Sequence, residues 1–267
     1  MIKTANIIEA LAKMRKESPL VHNITNHVVM NNTANALLSV GASPVMAHEP
    51  AEMEDMVSIA SALVINIGTL SERWIEAMII AGKKATERGI PVVFDPVGVG
   101  ATPYRSEVAQ QIITQCKPTV ITGNASEIMA LSNANVESKG VDSSVSSNVA
   151  LDSAKLLAQS TNTVVVVTGE IDYITDGNKV VTISNGSDMM PRVTGLGCSA
   201  TTITAAFASV ENDLVLACVS AMAVMGIAGE MASELAKGPG SLQMHFLDQL
   251  YNLTGEDIEK RLKMGNE

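Results

Sequence analysis

Residues 62–98 have the sequence ALVINIGTLSERWIEAMIIAGKKATERGIPVVFDPVG, and this stretch decides the fold. Its first seven residues form an apolar run ending in glycine, which predicts a buried strand. The segment from Ser71 to Gly89 starts with a capping residue and ends with a glycine, which predicts a helix. The run IPVVFDPVG predicts a second strand. Strand, helix and strand in this order favour two parallel strands joined by a crossover helix.

The same alternation continues along the chain and predicts a three-layer α/β/α fold with a mostly parallel central sheet. The other predicted elements are an amphipathic helix at 1–17, a helix at 106–116, a strand leading into a helix at 118–128, a helix at 149–161, a strand at 162–170, a hairpin at 173–186 that turns at 176–177, helices over 203–237, and one or two helices at 240–264. We expect a single domain over residues 1–267, with a surface loop at 133–148.

Composition excludes several classes of protein. Hydrophobic residues make up 46% of the chain but aromatic residues only 3%, so the core is aliphatic. A net charge of −10 excludes the basic surface of a nucleic-acid-binding protein. The three cysteines, Cys116, Cys198 and Cys218, match no zinc or disulfide spacing, which favours the reducing cytoplasm. We expect no signal peptide and no apolar run long enough to span a membrane.

Ligands of such sheets bind beyond the carboxyl ends of the strands. Five loops that follow predicted strands or precede a helix are rich in glycine or polar residues: 68, 95–100, 122–127, 168–170 and 195–199. This agreement predicts a binding site at that edge of the sheet.

The sequence VTGLGCSATT at residues 193–202 predicts an anion site. Glycines before a helix allow successive backbone N–H groups to point at one ligand, and the helix dipole adds positive charge. An ordinary glycine turn capped by Ser199 or Thr194 is the alternative. We expect the dipole to lower the pKa of Cys198, which would let it accept a proton from a substrate hydroxyl. A small packing residue is the alternative for this cysteine.

Two carboxylates follow predicted strands. Asp95 can hold Mg²⁺ through water, and the alternative is an Asp-Pro turn. Glu127 can cap a helix as its third residue or reach a water of Mg²⁺. Thr168 and Gly169 end an apolar strand where they can contact a nucleotide phosphate.

The segment at residues 21–50, VHNITNHVVMNNTANALLSVGASPVMAHEP, is dense in asparagine and histidine. Such side chains are costly to bury without partners, so the segment predicts a polar pocket or a subunit interface. No third ligand accompanies His22 and His27, so we do not expect zinc.

These motifs together resemble the hydroxyethylthiazole kinase family of the ribokinase-like superfamily. The resemblance rests on residues 21–50, DPVGVGAT, GNASEI, VVVVTGEIDYITDG and VTGLGCS, and it runs over residues 22–246 in the family's order. It implies transfer of the γ-phosphate of ATP, with Mg²⁺, to 4-methyl-5-(2-hydroxyethyl)thiazole in thiamine salvage. It also implies a homotrimer with active sites between subunits, and neither a nucleic acid nor a membrane as a partner.

The resemblance also implies residue roles. The thiazole pocket would include Asn26, Met46, Gly68 and Gly195. The nucleotide site would include Thr122, Asn124, Thr168 and Gly169, and Asp95 and Glu127 would hold Mg²⁺ and its waters. The anion hole would run from Gly195 through Gly197 to Cys198. Cys198 stands where most ribokinase-like enzymes carry an aspartate base. Thr122 stands where similar proteins often carry an arginine that meets ATP.

Three other functions stay open at this point. One is a kinase of the same fold that acts on another hydroxymethyl heterocycle, such as a pyrimidine or pyridoxal. Another is an ADP- or ATP-dependent dehydratase of hydrated nicotinamide cofactors. The third is a protein that binds the thiazole without turnover, which the residues at positions 122 and 198 would favour.

Overall fold

The computed structural model describes residues 2–135 and 147–266, and in these residues a central sheet separates two layers of helices. The predicted α/β/α layering is therefore confirmed. The predicted surface loop at 133–148 lies largely outside the described residues.

The helices begin and end as follows: α1 Thr4–Glu17, α2 Met30–Val40, α3 Met53–Ile59, α4 Glu72–Arg88, α5 Pro103–Cys116, α6 Ala125–Asn135, α7 Ser147–Thr161, α8 Leu196–Ala208, α9 Leu214–Leu235, α10 Pro239–Asn252 and α11 Gly255–Arg261. The strands are β1 Leu20–Ile24, β2 Ser43–Val45, β3 Ala62–Asn66, β4 Val92–Asp95, β5 Val120–Asn124, β6 Val164–Thr168, β7 Asp172–Thr175, β8 Val180–Ile183 and β9 Met264–Asn266.

Over the described ranges the sheet has nine strands in the order β2-β1-β3-β4-β5-β6-β7-β8-β9. The strands from β2 to β6 pair in parallel, and β6 to β9 pair antiparallel. The predicted hairpin at 173–186 is confirmed as β7 and β8. Because β1, β3, β4, β5 and β6 run in parallel, their carboxyl ends meet at one edge.

Helix α4 shows why the opening stretch folds as predicted. The Ser71 hydroxyl accepts a hydrogen bond from the Trp74 backbone N–H at 3.4 Å, which caps the first turn. Gly89 ends the helix with φ of +69°, a left-handed conformation that glycine adopts without strain. The predicted helix between Ser71 and Gly89 is thus confirmed.

The sheet buries aliphatic side chains on both faces. On one face Val64 and Val93 pack towards α1, α2, α8 and α9, and on the other Ile65 and Phe94 pack towards α3, α4 and α5. Strands buried on both faces give the continuous apolar runs seen in the sequence.

Helix α9 corrects the expectation that no apolar segment is long enough to span a membrane. Its 22 residues are long and apolar enough by composition, and among the described residues it is the one helix that meets this test. However, 78% of its most apolar window is buried within the fold. The helix therefore packs as a core element beneath the sheet.

Helix α8 begins earlier than predicted. The expected helical region started at residue 203, but α8 starts at Leu196. Cys198 therefore lies inside the first helical turn instead of in the loop before it.

Candidate active site

The carboxyl ends of five neighbouring strands bring predicted site residues together in one row. Asn26 follows β1 and Gly68 follows β3, while Asp95, Asn124 and Thr168 end β4, β5 and β6. The sheet register places Asn124 beside Thr168. These predicted residues therefore share one edge of the sheet, with Asn26 and Thr168 on opposite sides of Asp95.

The amino end of α8 faces this row. The helix packs against β1, β3 and β4. Gly195 precedes it with φ of +87°, and the Ser199 N–H makes the first helical hydrogen bond, to the Gly195 oxygen at 2.9 Å. The amides just before Ser199 thus stand outside the helical ladder, where they can donate to an anion.

A hydrogen-bonded chain of polar side chains runs across the site. The Asn26 Nδ2 donates to Asn66 Oδ1 at 2.8 Å, and the Asn66 Nδ2 donates to Asp95 Oδ2 at 2.8 Å. The Thr201 hydroxyl donates to the same Asp95 oxygen at 2.9 Å. When Asp95 is ionised it only accepts, so Thr201 donates to it and the Thr122 hydroxyl donates to Thr201, at 2.6 Å.

Asp95 is buried, and its surroundings favour the protonated form. Burial, followed by the charge of Glu127, raises the pKa of Asp95 to about 7, although hydrogen bonds from Thr201 and Asn66 lower it. A positive charge near the two carboxylates would favour their ionised forms. The predicted pairing of Asp95 with Glu127 is consistent with this electrostatic contact.

Cys198 differs from the expectation that the helix dipole would lower the pKa of its thiol. Burial, then the Asp95 carboxylate, raises the pKa of Cys198 to about 12, while hydrogen bonds from Asn66 and Asn26 lower it. The Asn66 Nδ2 lies 3.2 Å from the sulfur. Desolvation and a neighbouring carboxylate outweigh the helix terminus here, so the side chain is a thiol at neutral pH.

Glu127 takes the helix-capping role, one of the two roles that the sequence left open for it. Its Oε2 accepts from the Asn124 N–H at 2.9 Å, and the Glu127 N–H donates to Asn124 Oδ1 at 3.0 Å, which forms a capping box on α6. Its Oε1 accepts from the Gly98 N–H at 2.8 Å, which ties α6 to the loop after Asp95. Carboxylate oxygens have further lone pairs, so these contacts leave capacity for water or metal.

Thr122 does not lie at the surface of the site. It is 2% exposed, and its hydroxyl bonds Thr201. The side chain therefore supports the Thr201 contact to Asp95, and the prediction that it binds nucleotide gains no support from its position.

Gly68 is a position where the backbone approaches a side chain too closely for any other residue. A Cβ at Gly68 would lie 2.4 Å from Asn26 Nδ2. The Gly68 N–H also donates to Asn66 Oδ1 at 2.9 Å. The loop after β3 is thereby held against the loop after β1.

Met46 lies at the same edge of the sheet, one residue beyond the edge strand β2. The Met46 carbonyl oxygen lies 3.1 Å from His48 Nδ1, and the single tryptophan, Trp74, is flanked by His27 and His48, with ring centroids 4.5 and 4.7 Å away. The His27 N–H donates to the Thr69 hydroxyl at 3.1 Å, beside Gly68. These contacts border the Asn26 side of the site.

Sequence reasoning missed three residues that organise the site. Asn66 and Thr201 bond Asp95, and the Arg105 guanidinium donates to the carbonyls of Ile67, Gly68 and Val97 at 2.6, 2.9 and 2.8 Å. A signal existed for Asn66, a polar residue that ends an apolar strand. Thr201 and Arg105 are identified only by their contacts in space.

The turn after β6 holds the predicted nucleotide residues Thr168 and Gly169. The Thr168 hydroxyl donates to the Gly123 carbonyl at 3.4 Å, which links β6 to β5. The Gly169 N–H donates to Asp172 Oδ1 at 3.0 Å. Burial raises the pKa of Asp172 to about 7, against 3.8 for an ordinary aspartate.

Asp172→Asn is expected to raise the melting temperature at pH 8. A folded-state pKa above the unfolded value means that ionisation destabilises the fold, progressively from about pH 4 to about pH 7. Asparagine removes the charge and keeps the oxygen that accepts from Gly169. Thermal unfolding of both proteins at pH 4.5 and pH 8 measures the effect, and an equal difference at the two pH values would contradict the assignment.

Within the described ranges, no three histidine, cysteine or carboxylate side chains cluster as a metal cage. Magnesium is bound differently, through one or two carboxylates, waters and substrate phosphates. Asp95 and Glu127, whose charge contributes to the raised pKa of Asp95 after burial, are carboxylates of the kind that such a site uses.

Comparisons with known proteins agree with this architecture. The profile of the hydroxyethylthiazole kinase family matches residues 11–256. A curated hydroxyethylthiazole kinase of Syntrophus aciditrophicus is 53% identical over 264 residues, which cover 98% of each chain. The structure of a hydroxyethylthiazole kinase from Pyrococcus horikoshii superposes with a TM-score of 0.92 at 43% identity, covering 98% of each chain.

A pyridoxal kinase from Staphylococcus aureus in complex with ADP has a TM-score of 0.61 at 17% identity, covering 80% of this chain and 88% of that one. At this identity the likeness shows the fold alone. The ribokinase-like fold expected from the motifs is confirmed. The match over nearly the whole length shows that the chain belongs to the hydroxyethylthiazole kinase family.

Proposed function

We propose that this chain transfers the γ-phosphoryl group of ATP to the hydroxyl of 4-methyl-5-(2-hydroxyethyl)thiazole, a salvage step of thiamine synthesis. The observation that carries the proposal is the row of strand ends, which runs from Asn26 through Asp95 to Thr168 beneath the amino end of α8. The row offers an acceptor pocket at one end, a nucleotide site at the other, and carboxylates between them.

The acceptor thiazole binds at the β1 and β3 end, against Asn26, Gly68, Met46 and Gly195. The close approach of Gly68 to Asn26 supports this placement, because it joins the two loops into one wall. ATP binds at the β5 and β6 end, against Asn124, Thr168 and Gly169. This order puts the terminal phosphate near Asp95 and the hydroxyl of the thiazole near Cys198.

Asp95 and Glu127 hold Mg²⁺ with the phosphates of ATP. When bound, the ion neutralises phosphate charge, which is a large part of catalysis in phosphoryl transfer. Its charge would also favour the ionised form of Asp95, whose pKa is raised by burial and then by the charge of Glu127. The amides from Gly195 through Gly197 to Cys198 form the anion hole for the transferred group, since fixed N–H donors stabilise developing charge without reorganising.

Cys198 stands closest to where the acceptor hydroxyl loses its proton. With a pKa of about 12 the thiol is a poor base at neutral pH. Aspartate in its place would accept the hydrogen bonds that Asn66 and Asn26 donate to the sulfur. The charge of Asp95 beside it would raise the pKa of that new carboxyl towards neutrality, where a general base is most effective.

Cys198→Asp is therefore expected to keep kcat or raise it by up to about 10-fold, whereas Cys198→Ala lowers kcat, with KM for ATP changed by less than about threefold in both. Steady-state kinetics measure both constants. Cys116→Ala, a buried cysteine of α5, is the control and leaves kcat unchanged. A folded Cys198→Asp protein without activity would contradict this role for position 198.

We also propose that the chain forms one kinase domain and assembles as a homotrimer with active sites between subunits. We propose that this trimer is located in the cytoplasm. Val28 supports the trimer, because it is 64% exposed although it lies two residues from Asn26. The free thiols of Cys116, Cys198 and Cys218 support a reducing compartment. Light scattering after size-exclusion chromatography gives the mass, and a monomeric active enzyme would overturn the trimer.

The proposed activity is tested by ADP release from ATP and Mg²⁺, with and without hydroxyethylthiazole, and by the mass of the product. Thiazole-dependent ADP release with a phosphorylated thiazole is expected. Calorimetry showing tight thiazole binding without ADP release would favour the binding protein. Turnover of pyridoxal or a hydroxymethylpyrimidine in place of the thiazole would favour the other kinase. Turnover of a hydrated nicotinamide cofactor would favour the dehydratase.

A further inference from the structure

Asn66 is a four-way hydrogen-bonding junction at the centre of the site. It ends β3 and is 1% exposed. Its Nδ2 donates to Asp95 Oδ2 at 2.8 Å and to Cys198 Sγ at 3.2 Å. Its Oδ1 accepts from Asn26 Nδ2 at 2.8 Å and from the Gly68 N–H at 2.9 Å. Both hydrogens of the Nδ2 group and both lone pairs of Oδ1 are thus used.

These partners allow the amide only one orientation. A flipped amide would turn its oxygen towards the Asp95 carboxylate and its NH₂ towards two other donors, from Asn26 and Gly68. The orientation of Asn26 follows from it, because Asn26 Oδ1 already accepts from the Val28 N–H at 3.1 Å. The two side-chain amides therefore donate in one direction: Asn26 donates to Asn66, and Asn66 donates to Asp95 and Cys198.

We propose that Asn66 is a positioning residue for phosphoryl transfer, which fixes the Cys198 side chain and the acceptor-side Asn26 relative to the Asp95 carboxylate. The inference rests on the proposed function. Asn66 joins the two halves of the site: Asn26, Gly68 and Cys198 lie on the acceptor side, and Asp95 lies on the metal side. A displacement of about 1 Å between reacting groups can slow a reaction about 10²-fold.

A purely structural role would give a different pattern, and Asn23 provides the matched control. Asn23 is also a buried asparagine, on β1, and is 0% exposed. Its Nδ2 donates to the Val21 carbonyl at 3.2 Å, and its Oδ1 accepts from the Thr202 hydroxyl. Its loss removes one buried hydrogen bond to α8, from Thr202, and one within β1, to Val21, but neither Asp95 nor Cys198 loses a partner.

The experiment compares Asn66→Asp, Asn66→Ala and Asn23→Ala with the parent enzyme. Asn66→Asp keeps the shape but replaces the donor to Asp95 with an oxygen, and Asn66→Ala is the second variant in case the first does not fold. We expect each Asn66 variant to lower kcat by about 10²-fold, with KM for ATP changed by less than about threefold. Asn23→Ala is expected to lower the melting temperature and to change kcat by less than about threefold.

A double variant tests whether Asn66 acts through Cys198. Groups that act as a unit are not additive, so Asn66→Ala is expected to lower kcat at least about threefold less in a Cys198→Ala enzyme than in the parent. Additive effects of Asn66→Ala and Cys198→Ala on kcat would overturn the inference and leave the proposed function standing. Equal losses of kcat from Asn66→Ala and Asn23→Ala would do the same. Absence of phosphorylated thiazole from the parent protein overturns the proposed function and the inference with it.

Discussion

Asp95→Asn is expected to lower kcat by about 10³-fold while the protein stays folded. The substitution removes a charge and almost nothing else. The asparagine oxygen can accept the two hydrogen bonds that Asp95 Oδ2 accepts from Asn66 and Thr201. The carboxylate is the group that would face a magnesium ion and the phosphates, so its loss removes charge where phosphoryl transfer needs it.

Stability is expected to move the other way. Burial raises the pKa of Asp95 to about 7, so the ionised carboxylate destabilises the folded protein at pH 8 in the absence of metal. Asp95→Asn should therefore melt at the same temperature as the parent or higher when both are measured at pH 8 in EDTA. A loss of activity with no loss of stability is the pattern of a group kept for function.

Asp172→Asn is the matched control, because it removes another partly buried carboxylate whose pKa is raised to about 7. It should resemble Asp95→Asn in melting behaviour at pH 8 but retain kcat within about 10-fold of the parent. The magnesium dependence of turnover separates the two further, since only Asp95→Asn should require more Mg²⁺. A kcat near the parent value for Asp95→Asn would remove Asp95 from the proposed metal site.

The parts of the fold that were predicted have strong local patterns. Ser71, Gly89 and the aliphatic runs beside them define β3, α4 and β4 without help from the rest of the chain. Strand β1 was not predicted, because His22 and Asn23 interrupt its apolar pattern although both are 0% exposed. Strand β9 has three residues at the sheet edge, which is too short to show alternation.

The same distinction holds for the site. Asp95 and Glu127 were predicted because the sequence alone shows a carboxylate that follows a predicted strand. Thr201 was missed because its role depends on contact with Asp95 across 106 residues of chain. The pKa of Cys198 was predicted in the wrong direction, since the sequence shows the helix start but not the carboxylate and the burial that outweigh it.

Gly195→Ala is expected to reduce both stability and turnover. Gly195 has φ of +87°, a region in which an alanine is strained, and a Cβ there would lie 2.7 Å from Val29 Cγ1. Val29 is 3% exposed and precedes α2, so it cannot yield without moving that helix. Strain and overpacking of this kind lower the free energy of unfolding by about 1–3 kcal/mol. For a chain of this size, each kcal/mol lowers the melting temperature by about 2–4 °C.

Turnover should fall by about 10²-fold, because the strain is relieved by displacing the amino end of α8, whose amides form the proposed anion hole. Gly197→Ala is the matched control for stability. It lies two residues away in the first turn of α8, and a Cβ there would meet nothing within 4 Å. Alanine is the better helix former by up to about 1 kcal/mol, so the melting temperature of Gly197→Ala should equal or exceed that of the parent.

The comparison is made on melting temperature, measured by calorimetry, because Gly197 itself belongs to the proposed anion hole. A Gly195→Ala protein as stable as the parent would show that the loop accommodates a side chain, and the left-handed turn would then not be what aims α8 at the phosphate. A Gly197→Ala protein that is stable but slow would indicate that the phosphate approaches the helix backbone too closely for a methyl group. Gly195→Ala thus tests whether the left-handed turn positions the anion hole, and Gly197→Ala tests whether the anion needs the space beside the helix backbone.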